Sequence, residues 1–191
     1  MKPYQSLFME TFIKDAWAAI KSLSALLKKN DISFTIIGGM ARNQYKYVRT
    51  TEDIDIIVAK KDKEKIKELP VGYIRDISNG RGKRFKLNNP EAVIKIIYEG
   101  EISGDGVHGL PFENPSELSK DIKGEPFITL ENLIKYKLSS GIYGKRLKDF
   151  GDIVELIRAN NLPENYADDF RSDLKDKYKE LWHNAKEQID L

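Results

Sequence analysis

Apolar residues fall at two different periods along this chain, and the switches between them outline its elements. From Ser6 to Lys29, Phe8, Phe12, Ala16, Ile20, Leu23 and Leu27 recur at helical spacing, and Trp17 and Leu26 widen the stripe. This predicts a first helix, closed by the cations and turn residues Lys28-Lys29-Asn30-Asp31. Phe34 to Ile37 then reads as a buried strand, and Gly39 to Tyr47 as a short helix. The run Asp53-Ile54-Asp55-Ile56-Ile57-Val58 alternates carboxylates with apolar residues, the period of a strand. Lys60 to Leu69 predicts an exposed helix with Ile66 and Leu69 inward.

Further on, Gly72 to Asp76 and Arg84 to Leu87 read as two strands, with Ser78-Asn79-Gly80-Arg81-Gly82 as the turn. Ala92 to Tyr98 is a β-branched strand, and Ser103 to Gly109 is a glycine-rich loop. Pro115 to Ile122 predicts a short helix bearing Leu118, and Phe127-Ile128 a small strand. Thr129 is the expected N-cap of a helix with Leu130, Leu133, Ile134 and Leu138 on its buried stripe. Ile153, Leu156 and Ile157 anchor another helix, which Asn160-Asn161 stops. A last amphipathic helix carries Phe170, Leu174, Tyr178, Leu181, Ala185 and Ile189, with Trp182 beside the stripe. Its partner stays open between the first helix, the sheet region and another subunit. These elements give an α+β class, with a mixed sheet flanked by helices and a helical C-terminal end. The division expected is 1–128 and 129–191.

Composition narrows the classes. The 191 residues are 40% hydrophobic and 32% charged, as in a soluble globular protein. No apolar run approaches the roughly 20 residues of a membrane span. The N-terminus lacks a signal-peptide pattern, and there is no cysteine, which excludes disulfides and thiolate metal sites. A cytoplasmic location is the expectation. The formal charge of +2 is too small to argue for nucleic acid by itself. Cations do gather at Arg81 to Lys86 and at Lys145 to Lys148, as a phosphate-bearing ligand would require.

The chemistry centres on Gly38-Gly39 and on Asp53 and Asp55. Residues two apart on a strand share a face, so the two carboxylates stand side by side, roughly 7 Å apart at the backbone. Paired oxygen donors suit magnesium. A glycine turn between strand and helix lets the backbone approach a phosphate. One half of the stretch would then hold a nucleoside triphosphate, and the other its metal. A lone loop histidine such as His108 is more often neither base nor ligand.

Gly38-Gly39-Met40-Ala41 followed by Arg49-x-Thr51-x-Asp53-Ile54-Asp55 resembles the core motif of the polymerase-beta-type nucleotidyltransferases. It is most similar to a small prokaryotic branch that includes the AbiEii-type abortive-infection toxins. The resemblance spans about Phe34 to Arg158 and implies a nucleotidyltransferase-like sheet. By resemblance, Asp53 and Asp55 are catalytic and hold magnesium in a two-metal site. The same resemblance makes Gly38, Gly39, Arg42, Arg49, Thr51 and Lys137 the nucleotide-binding set.

The implied acceptor is a tRNA end, another RNA, or a protein hydroxyl. The implied partner is an antitoxin protein. One position departs from the pattern. The family places a third carboxylate on the strand Val93 to Ile97, and Lys95 stands there; Glu99, on the same face, is either a substitute from one end of the strand or, as is more common, an exposed acid. Asp149 and Asp152 match the family's D-x-x-D and share a helix face, where Asp149 can fix Lys137 or Lys148. The alternative to an active transferase is a degenerate one that binds nucleotide or a partner without turnover.

Overall fold

The computed structural model describes residues 3–51, 53–69, 72–75, 83–88 and 91–187. The proposed turn at 78–82 and Ile189 lie outside these residues, as do the side chains of Phe8 and Phe12. The chain divides into two compact units. The first comprises Met1–Met40, Arg49–Glu99 and Glu113–Ile128, and the second Ala41–Val48, Gly100–Phe112 and Thr129–Leu191.

The first unit opens with α1 (Pro3–Lys29). Among the described residues its sheet has seven strands: β1 (Phe34–Ile37), β2 (Asp53–Val58), β3 (Gly72–Arg75), β4 (Lys83–Asn88), β5 (Glu91–Tyr98), β6 (Ser119–Ile122) and β7 (Glu125–Ile128). Their order is β3-β4-β5-β2-β1-β7-β6. β2 runs parallel to β5 and antiparallel to β1, and β1 runs parallel to β7, so the sheet is mixed. Ile36, Ile54, Ile56, Phe85, Ile94, Ile96 and Phe127 are sealed from solvent. Register places them on one face, the side on which Trp17 of α1 meets Phe127 at 5.7 Å. The periodic strand pattern therefore builds the core directly.

Two expected elements are corrected. Lys60 to Leu69 is a 3-10 turn (Lys60–Asp62) followed by α3 (Lys63–Glu68), and Asp62 is buried rather than solvated. Its carboxylate accepts from Ser33 N at 2.9 Å and pairs with Lys65, which explains a buried acid. The helix expected over Pro115 to Ile122 stops after α4 (Pro115–Leu118), and the rest is edge strand β6. Asn114 caps α4 through its side chain, and Pro115 fixes the first turn.

In the second unit, α5 (Leu130–Tyr143), α6 (Leu147–Asn160) and α7 (Ser172–Glu187) pack together. Thr129 caps α5 as expected, accepting from Asn132 N. Asn161 closes α6 in the left-handed conformation. Gly141 lets α5 approach α6 closely, since a Cβ there would meet Phe150 at 2.3 Å. Within this unit the last helix is tied to α6 and to the segment that follows it. Tyr178 donates to Pro163 O, Trp182 to Leu162 O, and Arg158 to Ala185 O.

Candidate functional site

The helix after β1 is shorter than Gly39 to Tyr47: α2 covers Gly38–Asn43. It begins at Gly38 with φ of +64°, a conformation that L side chains rarely adopt. β2 lies beside this turn. Register sets Asp55 opposite Ile37 of β1 and Lys95 of β5, and sets Asp53 opposite Val93. Residues paired across strands share a face, so Asp53, Asp55 and Lys95 project together, away from buried Ile54 and Ile56.

A Cβ on Gly38 would lie 2.1 Å from Asp55 Oδ2. The Asp55 carboxylate thus rests against bare backbone. A Cβ on Gly39 would lie 2.7 Å from Thr51 Oγ1, and that hydroxyl donates to Asp53 O at 3.4 Å. Gly38, Gly39, Thr51, Asp53 and Asp55 form one neighbourhood within the first unit. Arg49 is half-buried two residues before Thr51.

Lys95, where the motif resemblance leads one to expect a third carboxylate, is a cation on the same face. Lys95 Nζ forms an ion pair with Asp53, with Lys95 about a third exposed and Asp53 a fifth. Glu99 does not substitute for the missing acid. It follows β5 at the end opposite Asp53, where its carboxylate accepts from Lys60 N at 3.0 Å and Asn114 Nδ2 at 3.4 Å. Among the described residues no group of three or more His, Asp or Glu could hold a metal. Asp53 and Asp55 are the carboxylates that this face offers among the described residues, a donor pair of the kind that holds magnesium with water and phosphate oxygens.

The second unit gathers the other cationic candidates. Lys137 is not an exposed helical lysine: it is 7% exposed and donates to Asp149 Oδ1 at 2.8 Å and to Asp152 Oδ2 at 2.7 Å. Arg42 is 1% exposed, pairs with Asp152 at 3.5 Å and donates to Asn43 at 2.9 Å. Asp152 is buried in this cluster, beyond any role as helix N-terminal charge. Two cations and two carboxylates balance, as buried charges must.

One constellation went unread in the sequence. His108 has a partner: its Nδ1 lies 2.7 Å from Asp105 Oδ2, while Asp105 Oδ1 accepts from Val107 N and His108 N. The hydrogen bond to the imidazole, followed by those to the two amides, holds the Asp105 carboxyl well below the usual carboxylate range. The imidazole stacks near Tyr143, whose hydroxyl donates to Asp173 at 2.6 Å. The signal available was the Asp105-Gly106 turn, which bends the chain so that residues three apart meet.

No protein-family model matches the chain, and no curated protein matches it. Solved structures do. A nucleotidyltransferase-like antigenic protein from Paracoccidioides brasiliensis superposes with a TM-score of 0.55 at 15% identity, covering 90% of this chain and 88% of that one. The antibiotic-resistance factor ANT(2'')-Ia gives 0.49 at 12% identity, with 94% of each chain covered. A Helicobacter pylori protein gives 0.45 at 16%, covering 97% of this chain and 95% of its own. The first of these likenesses establishes a nucleotidyltransferase-like fold: a mixed sheet flanked by helices with a helical C-terminal end. No described helix is long and apolar enough to cross a membrane.

Proposed function

We propose that this chain is a nucleotidyltransferase, moving a nucleoside monophosphate from a nucleoside triphosphate to a hydroxyl on RNA or protein. The observation that supports it most is the Asp55 carboxylate lying against the Gly38 backbone, with Asp53 on the same face. A phosphate chain can approach where glycines leave backbone uncovered. Asp53 and Asp55 would hold magnesium, which when bound offsets charge on the triphosphate.

The chain's own residues set the stage for in-line displacement. The β1–β2–β5 ladders fix the backbone that carries Asp53 and Asp55, so the two side chains start from one face of the sheet. Thr51 buttresses Gly39 and ties the approach segment to Asp53 O. The acceptor oxygen bonds to the α-phosphorus, the bond to pyrophosphate breaks, and the acceptor proton passes to solvent. Within the second unit, carboxylates engage both Arg42 and Lys137. A toxin held in check by an antitoxin is the biological setting this reading carries, on the motif resemblance.

One observation favours a second reading. The Lys95–Asp53 pair occupies the face where a third acid would take the acceptor's proton. Nucleotide would then bind without turnover. A single assay separates the two. The protein is incubated with magnesium, each labelled triphosphate, tRNA and cell lysate. Label transfer abolished by Asp53→Ala or Asp55→Ala supports the transferase. Binding without transfer supports the silent form, and the absence of both overturns the site.

A further inference from the structure

Lys95 has more around it than a surface ion pair requires. On β5 it stands opposite Asp55 of β2, and on its other side opposite Arg84 of β4. Directly opposed strand residues share a face, so two cations and two carboxylates lie in one layer across three adjacent strands. Like charges set directly opposite destabilise a sheet. The Lys95 cation faces Asp55, whose carboxylate lies against Gly38, so it adds positive charge beside the turn proposed to receive the phosphates. The acids at the two ends of β5 are engaged elsewhere, Glu99 with Lys60 N and Asn114 and Glu91 with Lys86.

The charge arithmetic gives the pair a meaning. A third carboxylate together with a second divalent ion carries a net charge of plus one. A lysine ammonium carries the same. Exchanging the first set for the second preserves the field that a triphosphate meets. It removes the ligand that a second ion needs.

We propose that Lys95 is a built-in cation of the nucleotide site, taking the place of a second metal ion. The site then binds its triphosphate with one divalent cation on Asp53 and Asp55, and with the Lys95 ammonium as the remaining counter-charge. The ammonium exchanges its bond to Asp53 for one to a phosphate oxygen, while the cation takes over the Asp53 carboxylate. This inference rests on the reading that a nucleoside triphosphate binds here.

The test counts metal rather than turnover. Manganese is titrated into the full chain with a non-hydrolysable triphosphate analogue, and bound ion is counted by electron paramagnetic resonance. The wild type is expected to hold roughly one ion per bound nucleotide, and Lys95→Asp roughly two, since its carboxylate completes a two-ion site. Lys95→Gln keeps the single ion and loses about tenfold or more in nucleotide affinity, the scale of a lost charge-assisted hydrogen bond. Gln is close to Lys in length and uncharged, so the result stands even if the Asp variant does not fold. Two ions in the wild type, or unchanged affinity in Lys95→Gln, overturns the inference and leaves the nucleotide site intact. A wild type that binds no nucleotide overturns both.

Discussion

Lys137 Nζ sits 2.7 Å from Asp152 Oδ2, with both side chains less than a tenth exposed. Two other buried charges join it: Asp149 accepts from the same ammonium and also pairs with exposed Arg146, and Arg42 pairs with the same Asp152. Removing one member of a buried set leaves its partner charged and desolvated. Asp152→Ala removes the carboxylate that Arg42 pairs with and halves the ligation of Lys137. It should destabilise the chain by about 3–5 kcal/mol, read as a lowered urea midpoint at unchanged slope. Lys148→Ala, at an exposed position on the same helix, should stay within about 0.5 kcal/mol. Equal effects of the two would contradict the balanced cluster.

Gly38→Ala tests the close approach at the turn. The new Cβ meets Asp55 Oδ2 at 2.1 Å on a backbone with φ of +64°, so strain and displacement of Asp55 come together. The cost in stability should be roughly 1–3 kcal/mol. Nucleotide affinity should fall further than that strain explains, because Asp55 is pushed out of line. Gly151→Ala is the matched control. Nothing lies within 4 Å of its Cβ, and it sits inside α6. That variant should gain up to about 1 kcal/mol from helix propensity. Thermal unfolding with and without nucleotide separates the two effects.

How far the sequence reaches depends on which residues set a position. The period-two run at Asp53 to Val58 was enough to pair the two carboxylates on one face, because alternation is a property of the strand itself. The same holds for α1 and α5 to α7, whose stripes repeat at helical spacing. β6 carries no such signal: Ser119-Lys120-Asp121-Ile122 is an edge strand made of backbone pairing to β7, with polar side chains. Lys137 falls off the apolar stripe of Leu130, Leu133, Ile134 and Leu138, so α5 alone does not reveal its burial. What decides its burial is the Asp149–Asp152 pair on another helix, a contact no local window contains. Lys95 was legible by position, but its bond to Asp53 required the parallel β2–β5 register.

The Asp105–His108 contact gives a titration that a surface carboxylate would not show. The imidazole bond is the leading cause of the low carboxyl value, so His108→Ala should move Asp105 up toward the ordinary range near pH 4. Carbon-13 chemical shifts of the carboxyl followed against pH measure this directly. The two amide bonds from Val107 and residue 108 remain in the variant, so recovery should be partial. An Asp105 midpoint unmoved by the substitution would assign the effect to the amides alone.

Three tyrosines of the second unit set an alkaline limit on stability. Burial, and then the charge of Glu131, pushes the Tyr166 phenol up to about 12. Burial, and then the Tyr166 phenol, pushes Tyr45 and Tyr178 higher still. In the unfolded chain each ionises near the ordinary value of about 10. From there upward the unfolded state releases protons that the folded state keeps. Stability contributed by these phenols is therefore complete below about pH 10 and declines as pH rises through the folded values. Urea midpoints measured at rising alkaline pH should fall, with phenolate absorbance appearing alongside unfolding rather than ahead of it. Tyr178→Phe supplies the discriminating variant. It loses the bond to Pro163 O, about 1 kcal/mol at neutral pH, and should show a shallower alkaline decline because one phenol no longer links folding to protons. Phenolate signal for all three arising near pH 10 in a still-folded chain would mean that water reaches these rings, and the assigned burial would be wrong.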